Sequence, residues 1–159
     1  MIYVSRRQII ITGAVAAASL TTTRKAIGVD NTMPFDRKNY PHLDAPVGPY
    51  VHATSYNGLL FLSGLTAFNT PAQDQDLPTQ ADAVFSQLRG ILEAEGSGFE
   101  NLIKVTLFVT EFEEIDKFRD VLFSVYGNHL PASSLIQIKS LFASDLKIEV
   151  EAIAALTPL

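Results

Sequence analysis

From Leu146 to Ala154 the side chains alternate with a period of two: Ile148, Val150, Ala152 and Ala154 face one way, Lys147, Glu149, Glu151 and Ile153 the other. A segment of this kind reads as a strand with one side in a core, so the chain must build a sheet that is covered on one face. Leu102 to Thr110 repeats the pattern, with Val105, Leu107 and Val109 on one side and Thr106, Phe108 and Thr110 on the other. Earlier, Tyr56-Asn57-Gly58 separates two short apolar runs, Val51–Ser55 and Leu59–Ser63. Asn-Gly between such runs is the strongest short-range hairpin signal. Pro131 opens a further run, Ser133 to Ile138.

Two stretches instead follow the helical period. Ala81, Val84, Leu88, Ile91 and Leu92 recur on one face and predict a helix over about 80–95. Gly96 and Gly98 stand where a helix end favours left-handed backbone, and Pro71 and Pro78 mark residues 69–79 as a loop. Glu113, Glu114 and Asp116 crowd a second helix start, where negative charge complements the dipole. Ile115, Phe118, Leu122 and Val125 give that helix a core stripe, and Gly127 ends it. The order strand–strand–helix–strand–helix–strand–strand predicts an α+β two-layer domain, a mixed sheet with two helices on one face. The other face, carrying Thr106, Phe108, Thr110 and Ile153, is left uncovered and predicts self-association.

Charge and composition narrow the partners. Residues 1–29 carry Arg6, Arg7, Arg24 and Lys25 and no acid, which leaves 8 of the 12 Lys and Arg against all 17 Asp and Glu, a net −9 for the rest. Such a body repels phosphate backbones, so nucleic acid is not an expected partner. The chain has no cysteine, which excludes disulfides, thiolate metal sites and cysteine nucleophiles. No apolar run approaches the roughly 20 residues of a spanning helix, so no stable membrane anchor is expected. Ser5-Arg6-Arg7-Gln8, the uncharged stretch Ile9–Thr23 and the small residues Ala16-Ala17-Ala18 are the three parts of an export signal. The adjacent arginines resemble a twin-arginine signal, which implies a periplasmic destination, the alternative being a cytoplasmic tail. Residues 1–26 therefore read as an export signal, 27–45 (with Asn31, Pro34 and Pro41) as a linker or arm, and 46–157 as the domain.

Five segments stand in order over the body: Ala45-Pro46-Val47-Gly48-Pro49-Tyr50, Leu62-Ser63-Gly64, Ile103-Lys104-Val105-Thr106, Pro131-Ala132-Ser133-Ser134 and Lys147–Ala154. Together they resemble the RidA/YjgF family of small trimeric imine/enamine deaminases, from Ala45 to Leu156. The resemblance implies a chorismate-mutase-like fold and a homotrimer with three clefts between subunits. In the family each cleft binds a small 2-imino or 2-enamino acid. Water adds to the imine carbon, ammonia leaves and a 2-oxo acid results, with no metal or organic cofactor.

Carried over residue by residue, Glu149 matches the family's site glutamate, which positions or activates the water. Tyr50 matches the cleft tyrosine, and Ser63 and Gly64 the pocket floor. One position departs. The family places an arginine after the Pro-Ala pair to grip the substrate carboxylate, and this chain has Ser133 there. A guanidinium fork makes two charge-assisted hydrogen bonds of about 1.5–3 kcal/mol each, whereas a serine offers one neutral donor. Arg119, on the second helix, is the candidate substitute base, weighed against a plain solvated surface charge; Lys139 is a weaker one. His52 follows Tyr50 by two and points from the same strand face, and His129 lies near Ser133, but the three histidines lack any metal-ligand spacing. Ser133 and Ser134 lack a nucleophile-elbow pattern. The sequence thus supports a cofactor-free hydrolase of imines or enamines, with a non-catalytic small-molecule-binding trimer as the alternative. RNA cleavage, attached to some relatives, is opposed by the acidic body, the absence of Trp and the lack of a basic stripe.

Overall fold

The computed structural model describes residues 35–156, all within the second of the chain's two units, Thr32–Leu159. The export signal expected over residues 1–26 lies outside the described residues. Six strands form one sheet: β1 (Asp36–Lys38), β2 (Ala53–Tyr56), β3 (Leu59–Thr66), β4 (Leu102–Val109), β5 (Ala132–Gln137) and β6 (Ile148–Ala155). Their order across the sheet is β1-β2-β3-β6-β4-β5, and every neighbouring pair is antiparallel except β4–β5. That parallel pair is bridged by the helix α2 (Ile115–Tyr126), as a crossover requires. The other helix, α1 (Leu77–Ala94), joins β3 to β4.

The alternation read from the sequence is the core. Leu60, Leu62 and Leu65 of β3, Val105, Leu107 and Val109 of β4 and Ile148, Val150, Ala152 and Ala154 of β6 form one buried cluster with Val84, Phe85, Leu88 and Leu92 of α1 and Phe118 of α2. Both helices therefore cover the same face, and the α+β mixed sheet expected from the sequence is what forms. The hairpin is also as expected: Asn57 and Gly58 take φ of 50° and 75°, the paired positive values of a two-residue turn that suits right-twisted strands.

Three expectations need correction. The strand order gains a member at its start, because residues 36–38, read as part of a linker, pair with β2 as an edge strand. The loop expected over 69–79 is shorter, since α1 begins at Leu77, and Pro78 lies in its first turn. The Asp76 side chain caps that turn by accepting from the Thr79 N–H at 2.9 Å, and a proline there removes only an amide that the helix would leave unpaired anyway. Finally, Gly96 is left-handed with φ 67°, but Gly98 is extended, φ −158°. One left-handed residue is enough: Ser97 N–H donates to Leu92 O and Gly96 N–H to Glu93 O, which closes the helix end.

A buried polar residue fixes the loops around α1. Gln80 is fully buried, yet its Nε2 donates to the carbonyls of Gln73, Gln75 and Asp145, and its Oε1 accepts the Lys147 N–H. With donors and acceptor both used, it ties the entry of β6 to the start of α1.

Candidate functional site

The cleft is made by an irregularity in β3. Leu62 pairs with Ala152 and Leu65 with Val150, so β3 spends three steps where β6 spends two. The extra residue is a bulge, and it lets two leucines three apart both reach the core while Ser63-Gly64 is re-aimed. The strand continues to Thr66, beyond the Ser63 at which the sequence run appeared to stop, and Thr66 faces Glu149 in the register.

That register brings Glu149 against Gly64. A β-carbon at Gly64 would lie 2.8 Å from Glu149 Cγ and overlap the carboxylate itself. Glycine here is a matter of close approach: only a hydrogen leaves room for the acid. Ser63 lies beside it with its hydroxyl donating to Val51 O at 2.7 Å and its N–H to His52 O at 3.0 Å. Its oxygen thus remains available to a ligand as an acceptor. Glu149 is half-buried, and among the described residues its carboxylate has no cation and no hydrogen-bond partner. Burial pushes its pKa up from the ordinary 4.5, and the neighbouring charge of Glu151 adds to the effect.

Around this floor the cleft has a volume of about 440 Å³. Tyr50 lines it, 46% exposed, together with the chain from Leu43 to Val47. His52 lines it too but is buried and structural. Its Nδ1 accepts the Tyr40 N–H at 3.1 Å, its Nε2 donates to Asp44 O at 2.9 Å, and its own N–H donates to Asn39 Oδ1 at 3.1 Å. This pattern uses the neutral ring with the proton on Nε2 and pins the segment that forms the cleft rim. Gln87 of α1 donates to Thr66 O at 2.9 Å, and Phe68 and Phe142 meet edge to face with centroids 5.1 Å apart. No pattern in the sequence marks Phe68, Gln87 or Phe142. They come from a turn, a helix flank and a loop with no shared pattern, and only the fold brings them together.

The structure thus gathers Tyr50, Ser63, Gly64 and Glu149 into one cleft and leaves Ser133 and Arg119 outside its lining. Ser133 is exposed on β5, in register with Val105, and β5 is separated from β3 by β4 and β6. At ~4.8 Å per strand, it stands roughly 14 Å across the sheet from the bulge. Arg119 is 57% exposed and pairs with Asp116 at 2.8 Å, one helical turn away. His129 is exposed and lies outside the cleft as well.

The described residues thus form a two-layer α+β domain with a half-buried acid at the floor of an open cleft. Comparison with known proteins is consistent with that class. Residues 42–156 match the family model described as Endoribonuclease L-PSP. The chain is 32% identical over 122 residues to a RutC family protein of Aquifex aeolicus, covering 72% of this chain and 94% of that one. It is 24% identical over 119 residues to a protein of Dermatophagoides farinae named 2-iminobutanoate/2-iminopropanoate deaminase, 73% of this chain and 92% of the relative. Among solved structures, the yeast protein YEO7 superposes with a TM-score of 0.71 at 26% identity, over 77% of this chain and 98% of that one. The chain belongs to the Endoribonuclease L-PSP family, which embraces the YjgF, RidA and RutC proteins.

Proposed function

We propose that the protein hydrolyses reactive 2-imino or 2-enamino compounds to 2-oxo compounds and ammonia, in clefts that a neighbouring copy of the chain completes. The observation that carries this reading is Glu149, a half-buried acid with no partner among the described residues, held against Gly64 at the floor of the cleft. An acid whose pKa burial has raised is a better proton acceptor than an ordinary carboxylate. Glu149 would take a proton from the attacking water as its oxygen bonds to the imine carbon. It would return that proton to the nitrogen, giving the carbinolamine; the new hydroxyl then gives its own proton to the nitrogen as the C–N bond breaks, leaving the 2-oxo compound and ammonia. Tyr50 closes one wall, and the Ser63 oxygen and Thr66 backbone present acceptors. The deaminase name of the Dermatophagoides farinae relative supports the same chemistry.

Two features support assembly with other copies, read here as the homotrimer. The helix-free face of the sheet exposes Phe61 and Ile136, 40% and 42% accessible, beside Phe108 and Ile153, and such a patch calls for a partner surface. Ser133, on the far edge of the sheet, can meet a Glu149 cleft only from another copy. Because it is serine, that edge brings no guanidinium. This favours a second reading, a non-catalytic small-molecule binder on the same assembly. The arginine pair and apolar run of residues 5–23 support export of the body to the periplasm.

Ammonia release from 2-aminoacrylate generated in situ tests the proposal. Purified protein should accelerate it over buffer, with a loss of at least about a hundredfold in Glu149→Gln. No acceleration, beside an arginine-bearing relative that is active in the same assay, would overturn hydrolysis and leave the binder.

A further inference from the structure

The charge of the cleft points to a ligand of a particular kind. Among the described residues of one copy, its lining includes two acids, Asp44 and Glu149, and no lysine or arginine. His52, its only histidine, has both ring nitrogens engaged, one as acceptor and one as donor, and so brings no charge. Four cations on other elements are committed elsewhere. Lys147 pairs with Glu111 at 2.7 Å, and Lys104 donates to Val105 O and Ser134 Oγ at 2.7 and 2.8 Å. Arg119 is held by Asp116 and Lys38 by Glu95. The rim, by contrast, is aromatic: Tyr50, Phe68 and Phe142, the last 61% exposed. Large aromatic side chains left open beside a carboxylate form the two halves of a cation site, one electrostatic and one through the ring faces. A ligand carboxylate in the same place would meet Glu149 with no counter-charge from the described residues of the same copy to offset its lost hydration.

We infer that the cleft takes a cationic, carboxylate-free ligand with an apolar body, the iminium of an oxidised primary amine. This rests on the proposed hydrolysis and ranks its substrates, the carboxylate-free iminium ahead of the 2-imino acids with which hydrolysis itself is tested. The reaction balances without an oxidant. Water bonds through oxygen to the iminium carbon, and one of its protons passes by way of Glu149 to the nitrogen. The C–N bond then breaks, the hydroxyl proton goes to the departing ammonia, and an aldehyde and ammonium ion remain. The reaction that supplies the substrate must be the two-electron oxidation of a primary amine.

Two probes of equal size separate the charges: benzylammonium and benzoate, titrated calorimetrically into the intact protein. Benzylammonium should bind at least about tenfold tighter, a difference of about 1.4 kcal/mol. Phe142→Ala and Glu149→Gln should each weaken it threefold or more, and Glu149→Gln, which removes the like charge, should strengthen benzoate. Equal affinities, a preference for benzoate, or benzylammonium binding insensitive to both substitutions would overturn the inference. Turnover is read in parallel from two in situ sources, a flavin amine oxidase acting on benzylamine and an amino-acid oxidase acting on phenylalanine. If only the 2-imino acid is hydrolysed, with dependence on Glu149, hydrolysis stands and the ligand class falls. If benzylammonium binds as expected and neither imine is hydrolysed faster than in buffer, the ligand class stands and hydrolysis falls.

Discussion

Two carboxylates are withdrawn from water in this fold, and they are treated in opposite ways. Glu95, just past α1, is 10% exposed in its side chain and fully occupied: Lys38 Nζ lies 2.6 Å from one oxygen and the Tyr40 hydroxyl donates to the other at 3.0 Å. Those contacts hold Lys38 and Tyr40, the strand and buried aromatic that anchor the rim, and both groups have raised pKa values, Lys38 chiefly through its hydrogen bond to Glu95 and Tyr40 chiefly through burial. Glu149 has no such company among the described residues, and Gly64 gives up its side chain to make room for it. Burying an acid without a partner destabilises the fold. A protein that satisfies Glu95 and Gln80 completely is able to satisfy its acids, and under the proposed function the one left bare among the described residues is kept for the substrate.

Substitutions can break or sharpen that contrast. The largest effect belongs to Glu149→Gln, which should reduce ammonia release by at least about a hundredfold. Its effect on stability has the opposite sign. Because the folded pKa is raised above 4.5, the native state holds the proton more tightly, and wild-type stability falls as pH rises through that window. The glutamine variant lacks this loss. Thermal denaturation should therefore find it at least as stable as wild type at pH 7, the gap closing below pH 4.5. A clear destabilisation at pH 7 would mean that Glu149 has a structural partner.

Gly64→Ala comes next. Its backbone is not in a conformation reserved for glycine, and the atom in the way is the far end of a flexible side chain, so the carboxylate swings aside. Activity should drop by tenfold or more, with little change in melting temperature. Equal losses of both would show the contact to be packing.

Glu95→Gln should do the reverse. Removing the charge that holds Lys38 and Tyr40 costs about 1–3 kcal/mol of stability, read from urea denaturation, with activity within a few-fold of wild type. The Lys38 pKa is raised above its ordinary 10.5, so the wild type's advantage is complete below that pH and is lost as pH rises beyond it. Smallest of all is Arg119→Ala. An exposed pair one turn apart is worth a few tenths of a kcal/mol, and neither stability nor ammonia release should change measurably. A tenfold loss of activity would put Arg119 in a cleft after all, by way of another copy.

Much of the covered face was legible because its physics is periodic. The alternation of Ile148, Val150, Ala152 and Ala154 and the stripe from Ala81 to Leu92 are direct images of burial, and Asn57-Gly58 is a direct image of backbone geometry. What escaped has no period. Strand β1 is Asp36-Arg37-Lys38, three charged residues that become a strand only because β2 offers an unpaired edge. The bulge hides in Leu62 and Leu65, out of phase by one residue. Pro78 signals a break to the eye, yet a first helical turn accepts it. The site is harder still, because Gly64 and Glu149 meet only through the pairing of β3 with β6. Family resemblance, and not pattern, named both. Phe142 and Gln87 carried no signal of either kind.

The claim on which the rest depends is that Glu149 is an acid without a partner, and its carboxyl titration followed by carbon NMR measures that directly. The account predicts a midpoint above the ordinary 4.5 that persists when Lys147 is replaced by methionine. A midpoint at or below 4.5 would reveal a cation or donor on the carboxylate, and Glu149 would then be no more than a second Glu95.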